Sequence, residues 1–424
     1  MEYYAEIAAI KKKLKGEGSY YFHLGKGDVD RKYFPTPKCL LEKVKAALDL
    51  QYYKYSHPLG RTDTRNLLAF YHNLLTGGNH YSSNNVALLI SATSGLNAVV
   101  NVLKEKVKLK KALVTRPSYI NYRYVFEKFG VDLVKVDSTR ENNFNVGCDE
   151  VISVLKSDKE VKLVVLCNPN FPFGRFMEKD CFKDILNYCE KNDIFLLLDN
   201  VFETSAFKNT DMGKYMTADY YSPNIIRIYN YSKDLGVAGF RIGYLLTNEW
   251  INEAMSDEID VTYGSPQTVF EPFIDCNTLL RILSAFGTES YIHGLKLIEE
   301  PEKKEILAGC DKDLEEYSKT LDSNLLGYYS NTLLVKKILG SSAVFDFIEP
   351  QGGFNMGINI KSKKSSMELF KEIFLNTGVV LTPGEVFDMP KSLDPWFRIT
   401  LANNGLDIEV ALKKIYDYIQ NKRS

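Results

Sequence analysis

The chain has 424 residues, 45% of them hydrophobic, and 53 Lys plus Arg set against 54 Asp plus Glu leave a formal net charge of -1. That balance gives no basic surplus to suggest nucleic acid or an anionic membrane as partner, and the length suffices for a large core divided into two domains. The seven cysteines (Cys39, Cys148, Cys167, Cys181, Cys189, Cys276 and Cys310) are odd in number, scattered and never spaced Cys-x-x-Cys, which argues against a disulfide framework and against a metal site. No apolar run reaches the roughly 18 residues of a membrane helix. The amino terminus mixes Glu2 and Glu6 with Lys11, Lys12 and Lys13 instead of carrying a signal-peptide core, so a cytoplasmic protein is expected.

In chain order, a strand is predicted over Val86 to Ile90. It runs into the turn Ser91-Ala92-Thr93-Ser94-Gly95-Leu96 and a helix from Leu96 to about Lys106. Further strands are predicted at Ala112 to Thr115, Val131 to Val136, Leu163 to Leu166, Phe195 to Leu198, Ile225 to Tyr229 and Arg241 to Leu246, alternating with helical stretches. The pattern is α/β, with a doubly wound, mostly parallel sheet. Trp250 to Pro272 reads as a loop near the site. Asn277 to Asp322, rich in Leu, Lys and Glu, reads as one or two long helices broken near Phe286 that lead into a smaller α+β domain. The expected divisions are an amino-terminal segment, 1–35, packing with the small domain, a large domain, 36–300, and a small carboxyl-terminal domain, 301–424.

Two of these elements end in chemistry. Asp193-Ile194-Phe195-Leu196-Leu197-Leu198-Asp199-Asn200 is a continuous apolar strand, suited to burial on both faces. It delivers Asp199 to the crevice where open α/β sheets bind ligands. Ile225 to Tyr229 delivers Asn230-Tyr231-Ser232-Lys233 into the glycine-bearing turn Gly236-Val237-Ala238-Gly239, and Arg241 follows eight residues after Lys233. A lone lysine in a loop is ordinarily solvated, and a strand-terminal Asp is ordinarily a cap or turn former. Together, a fixed amine, a guanidinium and a carboxylate match a pyridoxal 5'-phosphate site. The lysine would form a Schiff base with the aldehyde, the arginine would hold the phosphate, and the carboxylate would keep the pyridine nitrogen protonated.

From about Leu24 to about Ala402 the chain resembles the fold-type I, class I/II aminotransferase family, whose members are built like aspartate aminotransferase. Leu24 to Asp30 with Phe34-Pro35-Thr36-Pro37 looks like the family's amino-terminal glycine turn, which places Gly27 at the substrate carboxylate. Tyr55-Ser56-His57-Pro58-Leu59-Gly60 resembles the motif whose tyrosine reaches the phosphate of the neighbouring subunit, implying a homodimer with shared sites. By the same resemblance Ser94, Gly95 and Leu96 are the phosphate cradle at a helix amino terminus, although Leu96 stands where the family has a small residue. Asn230 and Ser232 share the phosphate, and Tyr119 of Pro117-Ser118-Tyr119 stacks on the ring. Gly378-Val379-Val380-Leu381-Thr382-Pro383-Gly384 and Trp396-Phe397-Arg398-Ile399-Thr400-Leu401-Ala402 resemble the last two signatures, with Arg398 forking the substrate's α-carboxylate.

Two departures fall near the chemistry. The family's Asn-Pro-Asn-Asn-Pro-Thr-Gly becomes Asn168-Pro169-Asn170-Phe171-Pro172-Phe173-Gly174, and its Asp-Glu-x-Tyr becomes Asp199-Asn200-Val201-Phe202. The resemblance keeps Asn168 and Phe202 at the cofactor and Phe171 at the substrate, but both usual donors to the ring's O3′ are apolar here. The implied function is an aminotransferase acting on an L-amino acid and a 2-oxo acid, with Lys233 as general acid and base. The alternatives are another pyridoxal phosphate reaction on the same scaffold (β- or γ-elimination, cyclisation or decarboxylation) or a non-catalytic regulator that binds the cofactor. Lys26, Tyr122 and Arg123 are candidate substrate contacts.

Overall fold

The computed structural model describes residues 2–16, 21–202, 204–393 and 395–422. The chain opens with α1 (Glu2–Gly16), β1 (Phe22–His23), α2 (Lys38–Asp49), α3 (Thr62–Thr76), β2 (Val86–Leu89) and α4 (Ala92–Lys106). It continues through β3 (Lys111–Arg116), α5 (Ile120–Lys128), β4 (Asp132–Asp137), α6 (Cys148–Ser157), β5 (Val161–Cys167), α7 (Lys179–Lys191), β6 (Phe195–Asp199), β7 (Ile225–Asn230) and α8 (Tyr231–Asp234). Then come β8 (Gly243–Leu246), α9 (Glu249–Tyr263), α10 (Glu271–Lys296), α11 (Pro301–Leu307), α12 (Leu314–Leu339), β9 (Phe345–Ile348) and β10 (Asn355–Ile360). The last elements are α13 (Ser366–Thr377), β11 (Val379–Val380), β12 (Thr382–Pro383), β13 (Trp396–Thr400) and α14 (Gly405–Asn421).

Seven strands form the central sheet in the order β2-β8-β7-β6-β5-β3-β4. Only β8 runs against its neighbours, pairing antiparallel with both β2 and β7. Strands β5, β6 and β7 are apolar on both faces because helices cover both, and Leu163, Leu197 and Ile226 pack in one cluster while Val164, Leu196 and Ile225 pack in another. All strands except β8 therefore present their carboxyl ends at one edge.

A second sheet of four strands, β12-β13-β10-β9, is antiparallel throughout. Its core is continuous with the start of the chain: Tyr3, Ile7, Ile10 and Leu14 of α1 pack with Phe370 and Phe374 of α13 and with Ile408 and Ile415 of α14. Helix α13 shows how local sequence sets its bounds. Ser365 and Glu368 form a reciprocal capping box at its start, and Gly378 ends it with a left-handed φ of 70°.

The structure departs from expectation in two places outside the site. Trp250 to Pro272, expected as a loop, is helical through Tyr263. Ile251, Met255 and Ile259, four residues apart, bury one face against Val99 and Val102 of α4, so tertiary packing supplies what the polar flanks obscured. Cys148 and Cys181 are joined by a disulfide between α6 and α7 that their spacing did not announce. The break expected near Phe286 lies at Gly287, whose φ of 80° interrupts α10. Among the described residues no helix is long and apolar enough to cross a membrane.

Candidate active site

At the carboxyl edge of the central sheet lies a cavity of about 430 Å³, closed on its far side by residues of β10, β12, β13, α1 and the turn at Gly25 to Gly27. A groove of about 860 Å³ beside α12 is larger, but it is an open surface feature lined by ordinary solvated pairs such as Lys208 and Asp322. The smaller cavity alone gathers Asp199, Asn230, Ser232, Lys233, Arg241 and Arg398.

Lys233 is placed by a cap. Strand β7 ends at Asn230, whose side-chain oxygen accepts the Ser232 backbone N-H at 2.6 Å and starts the single turn of α8. That turn directs Lys233 into the cavity, where its Nζ donates to the carbonyl of Gly27. Burial pushes the amine down to about 8, helped by the positive charges of Arg398 and Arg241 and opposed by Asp28. A lysine in this state has a substantial free-base fraction near neutral pH, as nucleophilic attack on an aldehyde requires.

Asp199 closes β6 and is buried. Its Oδ2 accepts the Tyr122 hydroxyl at 2.6 Å and its Oδ1 accepts the Val201 N-H at 3.2 Å. Burial raises its pKa above the ordinary carboxylate range while the two donors pull the other way. Such an acid ionises fully only when a cation faces it, the condition a protonated ring nitrogen would meet.

Arg398 lies on β13 and is 6% exposed, with burial lowering its pKa. One terminal nitrogen donates to the carbonyl of Gly25 at 2.5 Å and to Thr382 Oγ1 at 3.2 Å, whereas Nε has no partner. Its guanidinium stands 5.3 Å and 5.8 Å from the ring centres of Phe387 and Phe171. A Cβ on Gly27 would come within 3.6 Å of this guanidinium and 3.9 Å of Lys233 Nζ, so the glycine keeps open the space between them. Arg241 is exposed, donates to the Ala238 carbonyl at 3.0 Å, and holds a left-handed φ of 56°. A residue with a side chain rarely adopts that conformation, and such strain concentrates at ligand sites. Tyr119 meets Tyr122 and Phe171 edge-on, with ring centres 5.7 Å and 5.8 Å apart.

Not every expected residue lies at the cavity. Ser91, Ala92 and Thr93 line it, whereas Ser94, Gly95 and Leu96 do not. Helix α4 starts four residues earlier than expected. Ser94 is consumed by its reciprocal cap with Ser91, a Cβ on Gly95 would strike Leu89 at 2.4 Å, and Leu96 is 2% exposed in the core. The first helical N-H groups, which have no intrahelical acceptor, belong to Ala92 and Thr93. Asn168 is fully buried with its carboxamide turned away, accepting the Met177 N-H at 2.9 Å. Tyr55 is 92% exposed, outside this chain's cavity and beside Gly264. Phe171 and Phe202 do line the cavity, each edge-on to another ring, Phe387 and Phe354. Of the three candidate contacts, Tyr122 reaches the site only through Asp199, Arg123 pairs with Glu127, and Lys26 is exposed.

Sequence reasoning missed Tyr3, Tyr4, Cys167, Asn355, Thr382 and Phe387, all of which line the cavity. Two of them adjoin motifs singled out in the sequence: Cys167 directly precedes Asn168, and Thr382 lies within Gly378 to Gly384. The residues present fit a phosphorylated aromatic aldehyde. An amine of lowered pKa, a buried carboxylate, an exposed arginine beside the open end of α4, and the buried, unpartnered hydroxyl of Ser232 surround one space.

Comparison with known proteins agrees. The chain is 22% identical over 401 residues to an aspartate aminotransferase of Pyrococcus horikoshii, covering 94% of this chain and 91% of that one. It is also 22% identical over 365 residues to 1-aminocyclopropane-1-carboxylate synthase 3 of Solanum lycopersicum, covering 80% and 69%. A solved aspartate aminotransferase of Thermus thermophilus superposes with a TM-score of 0.81 at 18% identity, covering 99% of this chain and 96% of that one. The family model for aminotransferase class I and II matches residues 21–270, more than half of the chain. With the sheet, the lysine turn and the cavity in place, the chain belongs to the class I and II aminotransferases, enzymes that depend on pyridoxal 5'-phosphate.

Proposed function

We propose that this enzyme transfers the amino group of an L-amino acid to a 2-oxo acid, with Lys233 bonding the cofactor aldehyde and then carrying the proton at the substrate's α-carbon. The cofactor supplies an electron sink for the pair left on that carbon. This chain supplies the rest. Lys233 is a base whose pKa lies close to working pH, Asp199 anchors the ring nitrogen, and Arg241, Ser232 and the start of α4 hold the phosphate. Arg398 orients the α-carboxylate, and the aromatic walls exclude water. The observation that carries the reading is the lowered amine of Lys233 facing both Arg398 and Gly27 in one enclosed space.

The exposed ring of Tyr55 supports a homodimer in which it reaches the partner's site. The shared apolar core of α1, α13 and α14 supports a small carboxyl-terminal domain that includes the amino-terminal segment. A second reading, elimination or ring closure on the same scaffold, draws on the apolar Phe171 and Phe202 where hydrogen-bond donors are expected. Incubation of the loaded enzyme with a panel of amino acids, with and without 2-oxo acids, separates the two. Keto acid formed with regeneration of a second amino acid supports transfer, and ammonia or carbon dioxide released without an acceptor refutes it.

A further inference from the structure

The charges facing the cavity are few. Among the described residues they are one acid, Asp199, and three cations, Lys233, Arg241 and Arg398. On the proposed function, on which this inference rests, the cofactor takes the first two cations and the substrate's α-carboxylate takes the third. No cation of this chain's cavity is then left for a second substrate carboxylate. Of the segments beside Tyr55 that a partner copy would bring near, Tyr263 to Phe270 holds neither Lys nor Arg, and the cation next to Tyr55 in the chain is the exposed Lys54.

The ground around Arg398 is aromatic instead. Phe171 and Phe387 stand on its guanidinium and meet each other edge-on at 5.2 Å, and Phe202, Phe354 and Tyr4 complete the walls. An anionic side chain placed there would be desolvated without a partner, whereas an apolar one gains by leaving water.

One polar side chain remains to be explained. Asn355 on β10 is 4% exposed and lines the cavity, yet its side-chain oxygen has no partner. In the antiparallel pairing Gly357 lies opposite Arg398 and Asn355 opposite Thr400. Asn355 is therefore the diagonal neighbour of Arg398 on the same face, and the Phe173 ring covers the position of Gly357 opposite the arginine. Its carboxamide is neutral and opens on the same cavity as the guanidinium, so its amide nitrogen can donate to the α-carboxylate while its unpartnered oxygen is left to accept from an N-H or O-H of the substrate.

We propose that the substrate is an amino acid with a single carboxylate and an apolar side chain. Arg398 and Asn355 hold its carboxylate, and Phe171, Phe387 and Tyr4 receive its side chain. The test is calorimetric binding of amine-free acids to the cofactor-loaded enzyme. 3-Phenylpropanoate should bind about tenfold or more tightly than succinate. Asn355→Ala should weaken both acids alike, and Phe171→Arg should shift the preference toward succinate. Succinate binding as tightly as 3-phenylpropanoate to the unmodified enzyme overturns the substrate class, and unchanged affinity in Asn355→Ala removes that residue from the site. The two readings fail separately. Tight 3-phenylpropanoate binding without transfer from any amino acid sinks the reaction and leaves the pocket, whereas transfer fastest from aspartate sinks the pocket and leaves the reaction.

Discussion

Tyr122→Phe isolates one hydrogen bond in the candidate site. The Tyr122 ring is buried, and its hydroxyl donates to Asp199 Oδ2 at 2.6 Å, leaving the Val201 N-H at 3.2 Å as the other donor shown for this carboxylate. Phenylalanine keeps the ring and its edge-on contact with Tyr119, so packing is preserved and only the donor is lost. A hydrogen bond to a charged group in such a setting contributes about 1.5 to 3 kcal/mol, equivalent to about one to two pH units in the carboxylate's pKa. The sign follows from which form the donor serves. The hydroxyl stabilises the ionised carboxylate, so its removal lets Asp199 keep its proton to higher pH, adding to the upward push of burial. A neutral acid no longer balances a protonated ring nitrogen. At neutral pH kcat/KM should therefore fall by about 10- to 100-fold, and the acid limb of its pH profile should move up by about one to two pH units. Cofactor dissociation, followed by loss of the visible band on dialysis, should quicken in parallel. A variant with the parent's pH profile and cofactor retention would show that Tyr122 does not govern the charge of Asp199.

Four further outcomes are expected. Lys233→Ala should remain folded by circular dichroism but lose the borohydride-trapped cofactor adduct, and an adduct mapped to another lysine would refute the assignment. With an amine titrating at about 8, the rate at which apoenzyme captures pyridoxal phosphate should climb about tenfold per pH unit below that value and level off above it. A flat rate from pH 6 to 8 would contradict the burial argument. Tyr231, a hydroxyl that could have replaced the donors lost at Phe171 and Phe202, packs behind the cavity with Tyr244 and Phe273 and does not line it. The visible cofactor band should accordingly titrate about one to two pH units higher than in relatives that keep both donors, and Phe202→Tyr should lower that midpoint. Mixing Tyr55→Phe with Lys233→Ala should restore activity through heterodimers with one intact site, whereas a fully active monomer in sedimentation would rule out the shared site.

Much of the candidate site was legible because it sits where local sequence and fold position coincide. Asp199 ends an unbroken apolar run, Lys233 follows another by a fixed turn, and strand ends in an α/β sheet open onto one crevice. The misplaced residues share a different cause. Ser91 to Thr93, and not Ser94 to Leu96, face the cavity because the serine cap starts α4 at Ala92, so the free first N-H groups fall there and Gly95 and Leu96 are already turned into the core. Asn168 carries the expected side chain but spends it on Met177.

The sequence by itself therefore determined the family, the cofactor and the doubly wound sheet, and it singled out Lys233 and Asp199, which the fold brings to one cavity. Periodicity, strand ends and capping are short-range properties, and every one of those inferences draws on a few neighbouring residues. Only the tertiary structure decided what meets across the chain. It bonded Tyr122 to Asp199, 77 positions away, and brought Tyr3 and Tyr4 of the first helix to Arg398 of a late strand. It also set Asn355 diagonally beside that arginine and linked Cys148 to Cys181. Such pairings depend on how sheets and helices stack, a global balance of burial that no window of sequence contains.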